Sequence, residues 1–384
     1  MASIVETAPL VLDVGVVLLA AATSGLVARK VGLPAIVGYL MAGLLVSPFT
    51  PGFVANGDQI ALLADIGVVL LLFEVGIEID LRRIRNEHGA LLWASPLQVI
   101  VGTILGTPIF LLLDIPLFGA ALLALSLAMS SSVVIVNITR SRRRTTSVAT
   151  EESLLGWSVL QDITGVTLAA LIIALLGNTN DSPIRSILGL IGFIALAVIA
   201  SRLLPFLLRI VRWEHDLFLI YSVAIGLSIA ALGTVLFGIP MALASFVAGL
   251  AINQTRDTDD VRKAVLPFKD LFQVLFFVVI GSLVQPDLIL EALPFAALLL
   301  LVMLLLKTLP AFLLSRYRKI GDSAGQLSVG LSQVGEFSFV LGSAALAAGA
   351  LTKVQFTGVL LAVISSIIVS TLAVRRASRI SRSI

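Results

Sequence analysis

The sequence predicts an all-α protein that crosses a membrane many times. Of its 384 residues, 58% are hydrophobic and only 13% are charged. Ordinary globular domains are roughly 45–50% apolar and about 25% charged. Too few polar residues remain to cover the surface of a soluble domain of this length. The apolar residues also form long runs, and a membrane-crossing helix needs about 20 of them. This composition excludes a soluble enzyme and a disordered chain.

Polar segments and breaks at Pro or Gly divide the chain into thirteen candidate spans. These spans cover approximately residues 10–28, 34–48, 59–77, 89–113, 117–138, 151–176, 184–208, 216–236, 240–254, 266–285, 293–314, 323–349 and 356–374. The second and ninth are short and are flanked by Gly or Pro. Because the spans leave little room for anything else, we expect a single transmembrane domain over residues 1–384. No Gly-rich nucleotide-binding motif follows a predicted strand, so no nucleotide-binding domain is expected in this chain.

Lysine and arginine residues lie almost entirely in alternate loops. Twenty-three of the 26 basic residues fall in those loops or at the adjoining ends of the spans, whereas Arg185 and Lys353 lie on the opposite side and Lys307 lies deep inside a span. Basic loops face the cytoplasm, so we expect the N-terminus outside and the C-terminus in the cytoplasm, in a plasma membrane. The basic run at residues 140–144 is then a topology signal, and no nucleic-acid partner is expected.

A few ionisable residues lie deep inside the predicted spans. A charged side chain at mid-bilayer costs at least about 2.5–3.5 kcal/mol on insertion scales, so each such residue is a functional candidate. They are Asp65, Glu74, Asp162, Lys307 and Glu336, while two further acids lie nearer the predicted outer ends of their spans.

Asp162 is the strongest of these candidates. It lies about eleven residues into the sixth span, or about 16 Å along the helix, near the middle of the bilayer. Its carboxylate and the amide of the neighbouring Gln161 offer the oxygen ligands that hard cations prefer. Because the carboxylate can also take up a proton, the pair predicts a site where a cation and a proton compete. The alternative is a buried Asp that only holds helices together.

Two spans contain small and polar residues where a continuous helix would be apolar. The fifth has Met129–Ser132 in its middle, and the twelfth has Ser332–Glu336. Such residues at membrane depth are typical of unwound helices, and transporter sites are built from pairs of them in inverted repeats. The two spans are seven apart and therefore antiparallel, as an inverted repeat requires. Alternatively, the serines only allow helices to pack closely.

A lysine inside a span needs a partner or a route to the surface, and the sequence allows three arrangements for Lys307. It could neutralise the carbonyl ends of the broken helices, pair with Asp162 when no cation is bound, or extend its amino group to the cytoplasmic surface. Glu74 either lines a cytoplasmic funnel or pairs with an arginine. Glu336 lies beside the predicted break in the twelfth span and could be a structural anchor there.

Several motifs, ordered along the chain, resemble one known family. They are VGLPAIVGYLMAGLLVSP, VVLLLFEVGIEID, the serine-rich fifth span with LLGWSVLQDITGV, GIPMALASFVAGLAI with LPFKDLFQVLFFVVIGSLV, and GLSQVGEFSFVL. Together they cover most of residues 31–342, and they resemble the Kef-type potassium/proton antiporters of the second cation:proton antiporter family. The resemblance implies a sodium/proton-antiporter-like fold with two crossing broken helices. It also implies a core domain that moves against a dimerisation domain, in a homodimer.

The resemblance assigns roles residue by residue. Asp162 would be the carboxylate that binds cation or proton, with Gln161 beside it. Serines would lie at the first break, and Gln333 would mark the second. The residues predicted to bind the ion or support the site are Ser130, Ser131, Ser132, Gln161, Asp162, Lys307, Gln333, Glu336 and Glu74.

The leading interpretation is an antiporter that exchanges K⁺ for H⁺ by alternating access. The alternatives are a Na⁺/H⁺ antiporter of the same fold, a cation channel, and a membrane sensor that transports nothing. An intramembrane protease is disfavoured, because the sequence has neither a GxGD motif nor a histidine inside a span. We therefore expect no enzyme activity and no cofactor other than the transported ions.

Overall fold

The structure is a computed structural model that describes residues 4–49, 57–78, 89–131, 134–135, 147–177, 183–211, 213–237, 241–253, 258–335 and 337–380. Every regular element within these ranges is helical. In chain order the longer helices are α1 (Ile4–Lys30), α2 (Ala35–Leu45), α3 (Gly57–Glu78), α4 (Leu91–Leu111), α5 (Leu117–Ala128), α6 (Val148–Leu176), α7 (Pro183–Val211), α8 (His215–Phe237), α9 (Met241–Asn253), α10 (Thr258–Ser282), α11 (Ile289–Met303), α12 (Leu309–Arg318), α13 (Ala324–Leu331), α14 (Phe337–Ala347) and α15 (Lys353–Ile380).

The helices form two compact units. The first unit comprises Met1–Asp80 and Asn178–Val284, and the second comprises Leu81–Gly177 and Gln285–Ile384. Each unit therefore combines an early and a late piece of the chain.

In the first unit, α3 packs closely against α9 and α10. Gly76 of α3 faces Gly249 of α9 without any side chain between the backbones. A Cβ atom on Gly76 would collide with the carbonyl oxygen of Phe246, and one on Gly249 with that of Phe73. Such contact through small residues is typical of helices that pack inside a membrane.

The second unit contains the same order of elements twice. A long helix, an interrupted helix and a long helix follow one another as α4, α5 with the helical residues 134–135, and α6. The order recurs as α11–α12, α13–α14 and α15, which is the predicted inverted repeat. Gly102 and Gly106 of α4 allow its close packing: added Cβ atoms would lie 3.1 Å from the Leu306 carbonyl oxygen and 3.0 Å from the Ala124 Cβ.

In its described residues, each of the thirteen predicted spans contains helix, and eight helices in the described part of the chain are long and apolar enough to cross a membrane. The fifth and twelfth are interrupted where the sequence predicts it. The tenth begins earlier than the predicted residue 266, at Thr258, because Asp259 and Asp260 favour a helix N-terminus. The eleventh is not a uniform α-helix, because Leu304–Thr308 forms a π-helical turn between α11 and α12.

Candidate functional site

The first interruption follows the apolar helix α5. The helix ends at Ala128, and the backbone of Met129 is extended, with φ −99° and ψ 146°. Ser130 and Ser131 continue without helical structure and are buried. The predicted Ser132 lies outside the described residues.

The second interruption lies between α13 and α14. The helix α13 ends at Leu331, and Ser332 leaves helical geometry with a ψ angle of 49°. Gln333, Val334 and Gly335 are buried and non-helical, and helix resumes at Phe337. The predicted Glu336 lies outside the described residues.

Hydrogen bonds join the two interrupted segments. The side-chain amide of Gln333 accepts a bond from the Ser131 N–H (2.9 Å) and donates to the Ser131 carbonyl (3.1 Å). The Ser130 hydroxyl donates to the Leu331 carbonyl at 2.8 Å. The Gly335 N–H donates to the Met129 carbonyl at 3.2 Å. These bonds join residues 129–131 to residues 331–335, and we call this contact the crossing. They pair backbone groups that have no partner within a helix, which is necessary where no water can bond them inside a membrane.

Lys307 reaches this crossing from the π-helical turn. Its side chain is fully buried. Its Nζ donates to the Met129 carbonyl at 2.9 Å and to the Gln333 carbonyl at 2.7 Å, one at each interruption. The C-terminal carbonyl end of a helix carries partial negative charge, and here two such ends, of α5 and α13, lie beside one amino group. The first of the three predicted arrangements for Lys307 is therefore observed, and the side chain does not extend to the surface.

Gln161 connects α6 to the first interruption. Its Oε1 accepts from the Ser130 N–H at 3.1 Å, and its Nε2 donates to the Ala128 carbonyl at 3.2 Å. Asp162 follows directly on α6 and is only 2% exposed. The carboxylate is thus adjacent in sequence to a side chain that is bonded to the crossing.

Two polar side chains that the sequence does not single out also belong to this network. Gln98 of α4 accepts from the Gln161 Nε2 at 2.6 Å and donates to the Ala128 carbonyl at 3.3 Å. On α15, the Ser366 hydroxyl accepts from the Val334 N–H at 3.0 Å. Each is a polar residue in an apolar run, a signal too common in membrane helices to single it out.

Glu74 lies elsewhere, in α3 of the first unit. It is buried and forms ion pairs with Arg262 (2.9 Å) and, more distantly, with Lys269 (4.0 Å) of α10. Of its two predicted settings, the pairing with an arginine is observed. Its place among the site residues stays a prediction. Asp65, also on α3, is an exposed residue.

The crossing therefore brings together Ser130, Ser131, Gln161, Lys307 and Gln333, with Asp162 next to Gln161. Amide and hydroxyl oxygens, and the carboxylate of Asp162 on the same helix as Gln161, are of the kind that hard cations prefer. Within the described residues, no group of three or more His, Asp or Glu could hold a metal ion. A carboxylate can also take up a proton.

Comparisons with known proteins agree with this architecture. YbaL of Escherichia coli (strain K12), named as a candidate cation/proton antiporter, is 30% identical over 367 residues. That alignment covers 90% of this chain, whereas the chain spans 64% of the length of YbaL.

Solved structures of the sodium proton antiporter MjNhaP1 from Methanocaldococcus jannaschii have the same fold. The structure at pH 8 matches with a TM-score of 0.73 at 17% identity, covering 95% of this chain and 97% of that one. An electron-microscopy structure of MjNhaP1 matches with a TM-score of 0.60 at 15% identity, covering 96% and 93%.

The family described as "Sodium/hydrogen exchanger, transmembrane" matches residues 16–378, nearly the whole chain. The family and the similar proteins are transporters, in agreement with the expectation that the chain is no enzyme. The chain therefore belongs to the transmembrane sodium/hydrogen exchanger family.

Proposed function

We propose that the protein exchanges a monovalent cation for protons across a membrane by alternating access. In this mechanism Asp162 binds the cation and the proton in turn. The observation that carries the proposal is a buried carboxylate beside Gln161, whose amide is bonded to one of two crossing interrupted helices. An ionised carboxylate inside a membrane is costly, so the site changes its exposure from one side to the other only when a proton or a cation neutralises it. This condition couples the flux of cations to the flux of protons.

Lys307 supports this role by neutralising the crossing itself. Its two hydrogen bonds go to backbone carbonyls, one at each interruption. The carbonyl ends of the half-helices are then compensated by a resident positive charge. In the proposed mechanism the cation and the proton compete for the carboxylate of Asp162, so loading of the site follows that competition. A cation channel or a sensor needs no such competition.

We propose K⁺ as the preferred cation. Support comes from the Kef-type motifs, above all the adjacent Gln161 and Asp162 in the sixth span. The competing proposal is Na⁺, which is the ion named for MjNhaP1. The two differ in the ion that the site binds more tightly and not in the exchange reaction.

The test is exchange in reconstituted vesicles that contain a pH-sensitive dye. Addition of K⁺, Na⁺ or Li⁺ should move protons in the wild type and move none in Asp162→Asn, which keeps the shape of the side chain but cannot ionise. Asp114→Asn is the matched control, because Asp114 lies in an exposed turn with a positive φ of 57° that Asn tolerates. Exchange that persists in Asp162→Asn would refute the proposal, and ion flux without proton movement would favour a channel. The cation with the lowest apparent KM settles the choice between K⁺ and Na⁺.

We also propose that the protein works as a homodimer in the lipid bilayer of the plasma membrane. The dimer is implied by the family resemblance. The membrane follows from the eight long apolar helices. Cross-linking in native membranes at low expression, followed by mass measurement, tests the dimer.

A further inference from the structure

Gln98 lies on α4, the helix before the first broken helix, and is hydrogen-bonded to Gln161. It is 2% exposed and is part of a closed set of hydrogen bonds with Gln161 and the end of α5. Neither the sequence motifs nor the family resemblance assigns it a role. The inference drawn here rests on the proposed function of Asp162.

The orientation of both amides is fixed by backbone groups of known polarity. The Ser130 N–H can only donate, so the oxygen of Gln161 must face it, at 3.1 Å. The amino group of Gln161 then faces the Ala128 carbonyl, which can only accept, at 3.2 Å. Its second hydrogen goes to the Gln98 oxygen at 2.6 Å, which turns the Gln98 amino group to the same Ala128 carbonyl. Each assignment follows from the previous one, so neither amide can flip without losing a bond.

The Gln98 side-chain oxygen therefore accepts the second hydrogen of the Gln161 amino group. Without Gln98, that group would retain the Ala128 carbonyl but have one buried hydrogen unpaired, which is costly and leaves the Gln161 side chain held by two bonds in place of three. A less firmly held Gln161 amide keeps its oxygen less well in place beside the interruption. Gln98 holds an oxygen toward the interruption next to Asp162.

The repeat supplies a second, independent observation. In the other half of the second unit, the corresponding element before the broken helix carries Lys307, which also donates to carbonyls at the crossing. After each broken helix, a polar side chain accepts an N–H of the interruption: Gln161 from Ser130, and Ser366 from Val334. Gln98 thus occupies in the first repeat the role of Lys307 in the second, with a neutral donor in place of a charged one.

We infer that Gln98 is a positioning residue of the ion site, which acts on cation binding through Gln161. It does not contact the transported ion. Its loss should weaken cation binding more than it slows the exchange cycle.

The test is a double-mutant cycle with Gln98→Met and Gln161→Met, which replace an amide by an apolar side chain of similar length. In vesicles, Gln98→Met should raise the apparent KM for the preferred cation roughly tenfold, the effect of a lost buried hydrogen bond. The maximal rate should stay within about twofold. In the Gln161→Met background, Gln98→Met should change the KM little further, because the group through which it acts is gone.

Two results would overturn the inference: an unchanged KM in Gln98→Met, or KM effects of the two substitutions that simply multiply. Melting temperatures of the wild type, the two single variants and the double variant show whether each protein is folded. If Gln98 only stabilised the fold, a folded Gln98→Met protein would keep the wild-type KM. If the wild type itself shows no Asp162-dependent exchange, the proposed function fails. If it does, and the cycle shows no coupling, only the role of Gln98 fails.

Discussion

The amino group of Lys307 lies between the carbonyl ends of two interrupted helices. A lysine buried in an apolar environment is costly unless its charge is compensated and its hydrogens are bonded. Here the compensation comes from Met129 and Gln333, whose carbonyls accept from Nζ. The side chain thus joins one residue of each interruption and stabilises the crossing.

Replacement of Lys307 by Ala should destabilise the protein. The Gln333 and Met129 carbonyls each lose a charge-assisted bond, and a cavity replaces the lysine stem. We expect a loss of about 2 kcal/mol or more in the free energy of unfolding. Thermal melting in detergent measures it. Lys353→Ala is the control: Lys353 is exposed at the start of α15, so its loss should cost less than about 0.5 kcal/mol. Equal melting temperatures for both variants would contradict the stabilising role of Lys307.

The sequence singles out Asp162 and Lys307 more readily than Gln98 and Ser366. Asp162 and Lys307 stand out because a charge inside an apolar span is expensive. Gln98 and Ser366 do not, since a single amide or hydroxyl in a membrane helix is common and often bonds only its own backbone. The partner of Glu74 could not be predicted either, because Arg262 is 188 residues away along the chain.

At the scale of elements, the interruptions were predictable and their pairing was not. Serine, glycine and glutamine residues inside apolar runs predict where α5 and α13 end. The bonds that join the interruptions connect residues about 200 positions apart, such as Ser131 and Gln333. The π-helical turn at Leu304–Thr308 left no sign in an otherwise uniform leucine-rich run, although it carries Lys307.

The crossing depends on the absence of a side chain at Gly335. A Cβ atom there would lie 3.0 Å from the Ser130 carbonyl carbon and 3.1 Å from its oxygen. These are backbone atoms, which cannot rotate away, so Gly335→Ala should push the interrupted segments apart. We expect a loss of about 1–3 kcal/mol in stability, the usual effect of overpacking, together with slower cation exchange.

Gly15→Ala is the matched control for this substitution. Gly15 lies on α1, and a Cβ atom there meets nothing within 4 Å. The same exchange of Gly for Ala should leave both melting and transport essentially unchanged. A wild-type melting temperature and rate in Gly335→Ala would show that the two segments do not need such close approach.

At the scale of the whole molecule, the two compact units are built from interleaved pieces of the chain. Residues 1–80 and 178–284 form one, and residues 81–177 and 285–384 form the other. The described parts of both units are largely apolar helices, so composition shows no boundary between them, and the sequence predicts a single transmembrane domain. The exchanger family and its fold were predictable, because motifs and span order extend over most of the chain.

The distribution of basic residues predicts the orientation of the whole chain. The absence of cysteine allows single-cysteine variants to be labelled without background. Gly89 follows the basic loop after α3, and a Cβ atom at Gly89 meets no atom within 4 Å. Ala348 lies exposed between α14 and α15, on the predicted outer side. In intact cells a membrane-impermeant maleimide should label Ala348→Cys at once and Gly89→Cys only after permeabilisation, because basic loops stay in the cytoplasm. The reverse order of labelling would mean that the chain is inserted with its N-terminus inside.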